Sequence, residues 1–335
     1  MEKIWQALQL VAPKKGDIGI EVEVEGENLS IVDQGYWRTE ADGSLRGRYP
    51  GQSAEYVLAE PVLVSKVKPA LKQLIKAQAA AKLNFSFRTS VHVHVNVQEL
   101  SHIQLINIIY TYLLLEEPLI NFCGRERKGN RFCLRLQDAE GFMEYFKFLI
   151  QNRLKDFHML NENSMRYSAI NLAALRKYGS LEFRAMRGNL ELKTLTDWVS
   201  ALVQIKNFAC QDKATPATIY QAFCEKGCEG FLRDVLGVYA DAYIYPGFEK
   251  DMQRSFSLSI DAPFLYREYK HLFVEQPEVV APKPLPKAKV QKFVVMEDAM
   301  PAAAAEYHID FDAMIQRQID RELEARRIRP AVPQF

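Results

Sequence analysis

The sequence predicts an α+β fold, with a largely antiparallel sheet backed by helices and a linker and tail helix at the C-terminal end. Three observations predict it. Several short segments alternate apolar and ionisable residues with the period of two expected of half-buried strands. Longer segments between them repeat apolar residues at three- and four-residue spacing. Strands and helices do not alternate in the regular βαβ rhythm of a parallel sheet. The 335 residues are 48% hydrophobic and 25% charged, which suits a globular chain of one large or two modest domains. Lys+Arg 43 against Asp+Glu 42 leave no global field directed at nucleic acid or an anionic membrane.

Taken in order, "MEKIWQALQLVAPKKG" has an acidic second residue and no long apolar core, unlike a secretory signal. From Gly16 to Pro61 the chain reads as short strands and turns: "IGIEVEVEGE" alternates, "ADGS" is a turn, and "SAEYVLAEPV" is extended up to a proline. Ser65 to Leu83 is expected to be a helix, with Val67, Leu71, Leu74, Ile75 and Gln78 on one face and Pro69 in its first turn. The strand "TSVHVHVNV" follows, then a helix over 99–122, the basic loop "GRERKGNR" and a helix over 138–156. Further strands are expected at "RYSAINLAAL" and "GSLEFRAMRG", a helix over 191–211 and shorter ones over 216–243. The most apolar run, "IQLINIIYTYLLLEEPLI", contains Asn107, Glu116 and Glu117 and reads as a buried helix rather than a membrane span. The five cysteines have no paired spacing and suggest free thiols in a reducing cytoplasm. These readings give a main domain over 1–272 and a Pro/Ala/Lys-rich linker over 273–304. An amphipathic tail helix over 305–335 carries Phe311, Ile315, Ile319 and Leu323 at four-residue spacing and is a candidate docking element for a protein partner.

Three of the strands share one property. Successive side chains of a strand point to opposite faces. Glu21, Glu23 and Glu25 therefore oppose Ile20, Val22 and Val24; His92, His94 and Asn96 oppose the valines; Glu182 and Arg184 oppose Leu181, Phe183 and Ala185. A merely solvated face favours Lys, Thr and Ser. Three glutamates two apart repel one another unless something positive sits among them, and hard cations such as Mg²⁺ take carboxylate oxygens. Glu21, Glu23, Glu55 and Glu182 with a histidine would make a divalent-metal platform, and Arg184 and Arg187 beside it could stabilise charge on a transferring phosphoryl group. No GxxxxGK[ST] or GxGxxG motif is present, so a nucleotide would be held by metal and arginine on the sheet.

The order "GIEVEVE", "ADGSL" with "AEYV", "TSVHVHVNV", "ERKGNRFC", "YSAINL" and "SLEFRAMRG" resembles the amidoligase family from about Ile18 to Trp198. That family is related to glutamate–cysteine ligases and glutamine synthetases, and many of its members occur in bacteriophages. The resemblance implies a carboxylate–amine ligase fold whose curved antiparallel sheet carries ATP and Mg²⁺ (or Mn²⁺) on its concave face. It implies that Glu21, Glu23, Glu55 and Glu182 hold metal, together with His92 or His94, which lie near metal and nucleotide. His92, His94 and Asn96 would form part of the floor of the ATP site. Arg127, Asn130 and Arg131 would contact phosphate or a substrate carboxylate, Glu182 and Arg184 match a late Glu-x-Arg pair, and Asp42 would position substrate. The implied reaction joins a carboxylate to an amine through an acyl phosphate. The partners would then be an amino acid, peptide or protein side chain, with no membrane or nucleic acid required.

Two rivals differ in class. His92-x-His94 followed by Glu99 fits part of a cupin metal motif, but Ser86 and Ile106 stand where its flanking glycines belong. The linker and tail helix suit a virion-associated or scaffold protein that retains a ligase fold and acts through its tail. Intact Glu21, Glu23, Glu182 and Arg184 oppose that reading.

Overall fold

Strand β1 (Ile18–Glu27) lies inside the sheet because its alternation gives it one apolar face and one ionisable face. It pairs with β3 (Ser53–Leu58) along one side, and along the other with β5 (Ser90–Asn96) through Ile18–Val22 and with β4 (Lys82–Asn84) through Glu25–Glu27. Strand β2 (Trp37–Glu40) extends the sheet beyond β3, while β7 (Ser180–Arg187) and β6 (Ile170–Asn171) extend it beyond β5. The order is β2-β3-β1-β5-β7-β6, with β4 beside β1, and every pairing is antiparallel. The computed structural model describes residues 2–11, 15–45, 52–139, 141–159 and 167–273. The chain divides into two units, Met1–Pro277 and Glu278–Phe335. The expected tail helix, and the expected linker apart from Phe273, lie outside the described residues.

Helices back the apolar face. After the short α1 (Ile4–Ala7) and α2 (Val64–Ala77), α3 (His102–Cys123) packs against β7, where the Tyr112 and Phe183 rings lie 5.4 Å apart. Burying each of its leucines and isoleucines contributes about 1.5–3 kcal/mol, which suits this run to the centre of the core. Among the described residues α3 is the one helix long and apolar enough to cross a membrane, and 94% of that apolar stretch is buried inside the chain. Next come α4 (Phe142–Gln151), α5 (Ala173–Tyr178), α6 (Leu192–Ala209), α7 (Pro216–Leu236), α8 (Phe248–Leu258) and α9 (Asp261–Tyr269). Helix α7 starts where Thr215 caps and Pro216 enters the first turn, and it kinks at Gly227, whose φ of 68° is left-handed.

Three elements differ from the sequence expectation. The helix expected over 65–83 ends at Ala77, where the Gln78 side chain accepts from Ser30 N–H and donates to Ser30 O, both at 3.0 Å. Residues 82–84 are then free to pair with β1. The strand expected at "RYSAINLAAL" is only Ile170–Asn171, after which Asn171 Oδ1 accepts from Ala173 N–H at 3.0 Å and the chain turns into α5. Helix α4 begins at Phe142 rather than 138, behind a left-handed Gly141. All five cysteines are free thiols.

Candidate functional site

Register brings the ionisable residues of separate strands together. Directly paired residues share a sheet face. Glu21 pairs with His92, Glu23 with Glu55, Glu55 with Glu40, His94 with Glu182, and Glu182 with Asn171. Five strands thus supply one face of carboxylates and imidazoles. Glu23, Glu182 and His92 are only 5%, 5% and 3% exposed, so their polar atoms must find partners within the protein.

Most of those partners are one another. Glu21 stands between two imidazoles: Oε2 lies 3.1 Å from His92 Nδ1 and Oε1 lies 3.2 Å from His94 Nε2. His92 Nε2 lies 2.8 Å from Ser90 Oγ, which donates to Glu23 Oε2 at 2.5 Å. His94 Nδ1 lies 3.0 Å from Ser180 Oγ. Gly19, opposite His94, leaves space for this ring, since a Cβ there would sit 3.2 Å from the His94 Cβ. Glu182 Oε2 accepts from Asn171 Nδ2 at 2.7 Å, and Oε1 accepts from Arg184 Nη1. Arg184 Nε is buried with no hydrogen-bond partner, a donor still available to an anion.

The electrostatics follow from this geometry. Burial alone would raise the Glu21 carboxyl, but hydrogen bonds and charge from His92 and His94 outweigh it and hold Glu21 far below the usual range. Burial likewise opposes ionisation of Glu182, while Arg184, His92 and His94 pull it down. Burial lowers His94, yet Glu21 and Glu182 raise it above its ordinary value. Glu55 is the uncompensated member: burial and the charges of Glu21, Glu23, Asp42 and Glu40 push it up to about 8. Four carboxylates act on Glu55, and an added cation there would relieve their mutual repulsion.

Among the described residues, two groups of three candidate ligand atoms lie within 4.8 Å of one another: Glu21, Glu55 and His92, and Glu21, His94 and Glu182. Both use Glu21. Carboxylate–imidazole sets fit Mn²⁺ and related divalent ions as well as Mg²⁺.

Other expected site residues take different positions. Arg127 is buried at 2% exposure and donates from Nε to Ala185 O and from Nη2 to Arg184 O, both at 2.9 Å, so its guanidinium supports β7 rather than facing a ligand. Arg187 donates to Phe122 O at the end of α3 and lies 3.8 Å from Glu126. Asn96 donates to Gly16 O and accepts from Gln98 N–H, both at 2.9 Å, which closes the end of β5. Asp42 accepts from the Ser44 N–H and hydroxyl at 2.7 and 2.6 Å, near enough to Glu55 to act on its charge. Arg131 is exposed, 5.0 Å from the Phe132 ring centre. Asn130 ties two loops together through Phe87 O at 3.0 Å.

Sequence reasoning left out Ser90, Ser180, Asn171 and Glu40. The two serines continue the alternations of His92 and Glu182 by two residues, a signal that was present. Asn171 sits in a two-residue strand too short to show a period. Comparison with protein-family models gives no match, and comparison with curated proteins gives none either.

Proposed function

We propose that this chain is an ATP- and divalent-metal-dependent carboxylate–amine ligase, with its reaction centre on the ionisable face of the sheet. The observation that carries the reading is the five-strand cluster itself, in which Glu21, Glu23, Glu55 and Glu182 meet two histidines and Arg184 on one face. Glu55, pushed up to about 8 by burial and four neighbouring carboxylates, and the buried Arg184 Nε without a partner support a site that takes up further charge.

Glu21, Glu55 and His92, and Glu21, His94 and Glu182, would hold the ions, which supply positive charge against the polyphosphate of ATP. Asn171 and Arg184 fix the Glu182 carboxylate in place. Arg184, with guanidinium donors beyond the one given to Glu182, would supply positive charge to the phosphoryl oxygens that gain charge during transfer. A substrate carboxylate oxygen attacks the γ-phosphorus, ADP leaves, and the acyl phosphate formed is then attacked by an amine with loss of inorganic phosphate. The carboxylates of this sheet face favour approach of the amine as an ammonium ion.

The test is incubation with ATP, Mg²⁺ or Mn²⁺ and pooled amino acids and amines, read by product mass. A product heavier than one pool member by another less water, with ADP and phosphate in equal amounts, is the expected result. Failure of the protein to bind nucleotide with any divalent ion would sink the reading and favour a scaffold role.

A further inference from the structure

Lys177 and Tyr178 end α5, the short helix that leads into β7, and neither belongs to the alternating rows that build the site. The Tyr178 and His94 rings nevertheless meet at 90° with centres 5.6 Å apart. His94 already meets Ser180 Oγ through Nδ1 and Glu21 Oε1 through Nε2, so the tyrosine completes the contacts that fix this imidazole. The His94 side chain is 11% exposed and Tyr178 49%, so the tyrosine reaches from the cluster to solvent.

The backbone builds this place. Gly179 stops α5 with a left-handed φ of 66°, and its N–H donates to Leu175 O at 2.9 Å. Gln98 Nε2 donates to Tyr178 O at 2.9 Å and Val97 N–H to Gly179 O at 3.0 Å, which ties the turn to the residues that follow β5. A Cβ at Gly179 would sit 2.2 Å from Gln98 Cγ, so the close approach of the two segments requires glycine.

Lys177 brings the charge. A lysine in the last turn of a helix is ordinary. This one places Nζ 4.7 Å from the centre of the Tyr178 ring, within cation–π range. A hydrogen bond with the Tyr178 side chain, opposed by slight burial and aided by the charges of Tyr178, Glu21 and Glu182, raises the ammonium above the usual lysine range. Glu21 and Glu182 are the two carboxylates that stand with His94 in one of the candidate ion groups. An ammonium has three N–H donors, and the phenol takes one. The exposed Lys177 thus keeps donors for a ligand arriving from solvent. Its charge acts oppositely on two kinds of ligand: near Glu21 and Glu182 it opposes entry of a cation, and it attracts an anion carried by that cation. A point charge on a flexible stem suits phosphate oxygens.

We infer that Lys177 is a phosphate-binding residue, which from its seat on Tyr178 beside His94 holds the polyphosphate chain of the nucleotide at the Glu21–His94–Glu182 group. The inference deepens the ligase reading and rests on it.

The test uses the full chain, with Mn²⁺ and inorganic triphosphate as probes and calorimetry as the readout, so that it does not depend on catalysis. Lys177→Gln should bind Mn²⁺ alone as tightly as the parent or more tightly, because a competing charge is gone. With Mn²⁺ saturating, the same variant should bind triphosphate about tenfold more weakly, the scale of one charged hydrogen bond. Lys177→Arg should recover most of that affinity, and the circular dichroism spectrum should be unchanged in both variants. Parent-like triphosphate affinity in Lys177→Gln would overturn the inference, as would a parent protein that binds no triphosphate. Parallel loss of Mn²⁺ and triphosphate affinity would overturn it in favour of a purely structural lysine. The ligase reading fails separately, if triphosphate binds through Lys177 while ATP does not bind with any divalent ion.

Discussion

Glu182 spends one oxygen on Asn171 and the other on Arg184, so its charge and its shape can be removed separately. Glu182→Gln keeps the shape without the charge, and Arg184→Lys keeps the charge without the planar fork. Both should fold, since Leu181 and Phe183 on the opposite face are untouched. Both should lose ATP turnover by roughly 10²-fold or more with a productive substrate pair present, because each interaction acts chiefly where charge develops. Parent-like turnover in both would refute the metal–arginine mechanism. Protons offer a second handle. Glu55 on the site face and Glu116 buried in α3 are both pushed up to about 8 from an ordinary 4.5, first by burial. The folded chain therefore binds more protons than the unfolded chain between those values, and stability falls as pH rises from about 4.5 to 8, then levels off. Chemical denaturation across that range should show a shallower fall in Glu116→Gln, whose amide oxygen can still accept from Leu136 N–H. In Glu55→Gln the fall should also flatten, and Mn²⁺ affinity, which should rise with pH in the parent, should become weaker and nearly pH-independent. An unchanged pH profile in both variants would remove these two carboxyls as its source. At this scale alternation made Glu21, Glu23, His92, His94 and Glu182 legible, because a period of two fixes which residues share a face. Arg127 was not legible, because its partners are backbone carbonyls far along the chain that no local pattern encodes.

Those carbonyls belong to an irregularity in the sheet. Val91 pairs with Met186 and Val93 with Phe183, so Arg184 and Ala185 together face His92 alone. A bulge of this kind re-aims a side chain and leaves carbonyls without ladder partners. Here it helps set Arg184 against Glu182, and Arg127 takes up the carbonyls of both bulged residues. Arg127→Met would leave two buried acceptors unsatisfied and should destabilise the fold by about 2–4 kcal/mol, seen as a lower urea midpoint at constant slope. Arg127→Lys, with one donor group in reach, should fall between. A methionine variant as stable as the parent would show that the bulge is held by its neighbours instead. Strand β1 was legible from sequence because ten residues of alternation admit one reading. The segment after Asn171 was not: "LAAL" is a short apolar run that suits strand or helix equally, and a side-chain cap from Asn171 decides it.

The buried apolar residues among those described run from Ile4 to Ala262, all within the unit Met1–Pro277. The sequence reading ends the main domain at residue 272, since the Pro- and Lys-rich stretch that follows offers little apolar surface for a core to bury. The candidate metal ligands Glu21, Glu55, His92, His94 and Glu182 likewise all come from strands of that first unit. Folding and metal binding should therefore both survive removal of everything after Pro277. A chain ending there should unfold in one cooperative transition, with a midpoint within a few degrees of the full-length protein. Mn²⁺ should raise that midpoint by the same amount in both chains, since ligand stabilisation depends only on affinity and free concentration. The two measurements separate the ways the prediction can fail. A broad or missing transition would mean that residues after Pro277 complete the core, whereas a normal transition with no Mn²⁺ shift would mean that they complete the metal site.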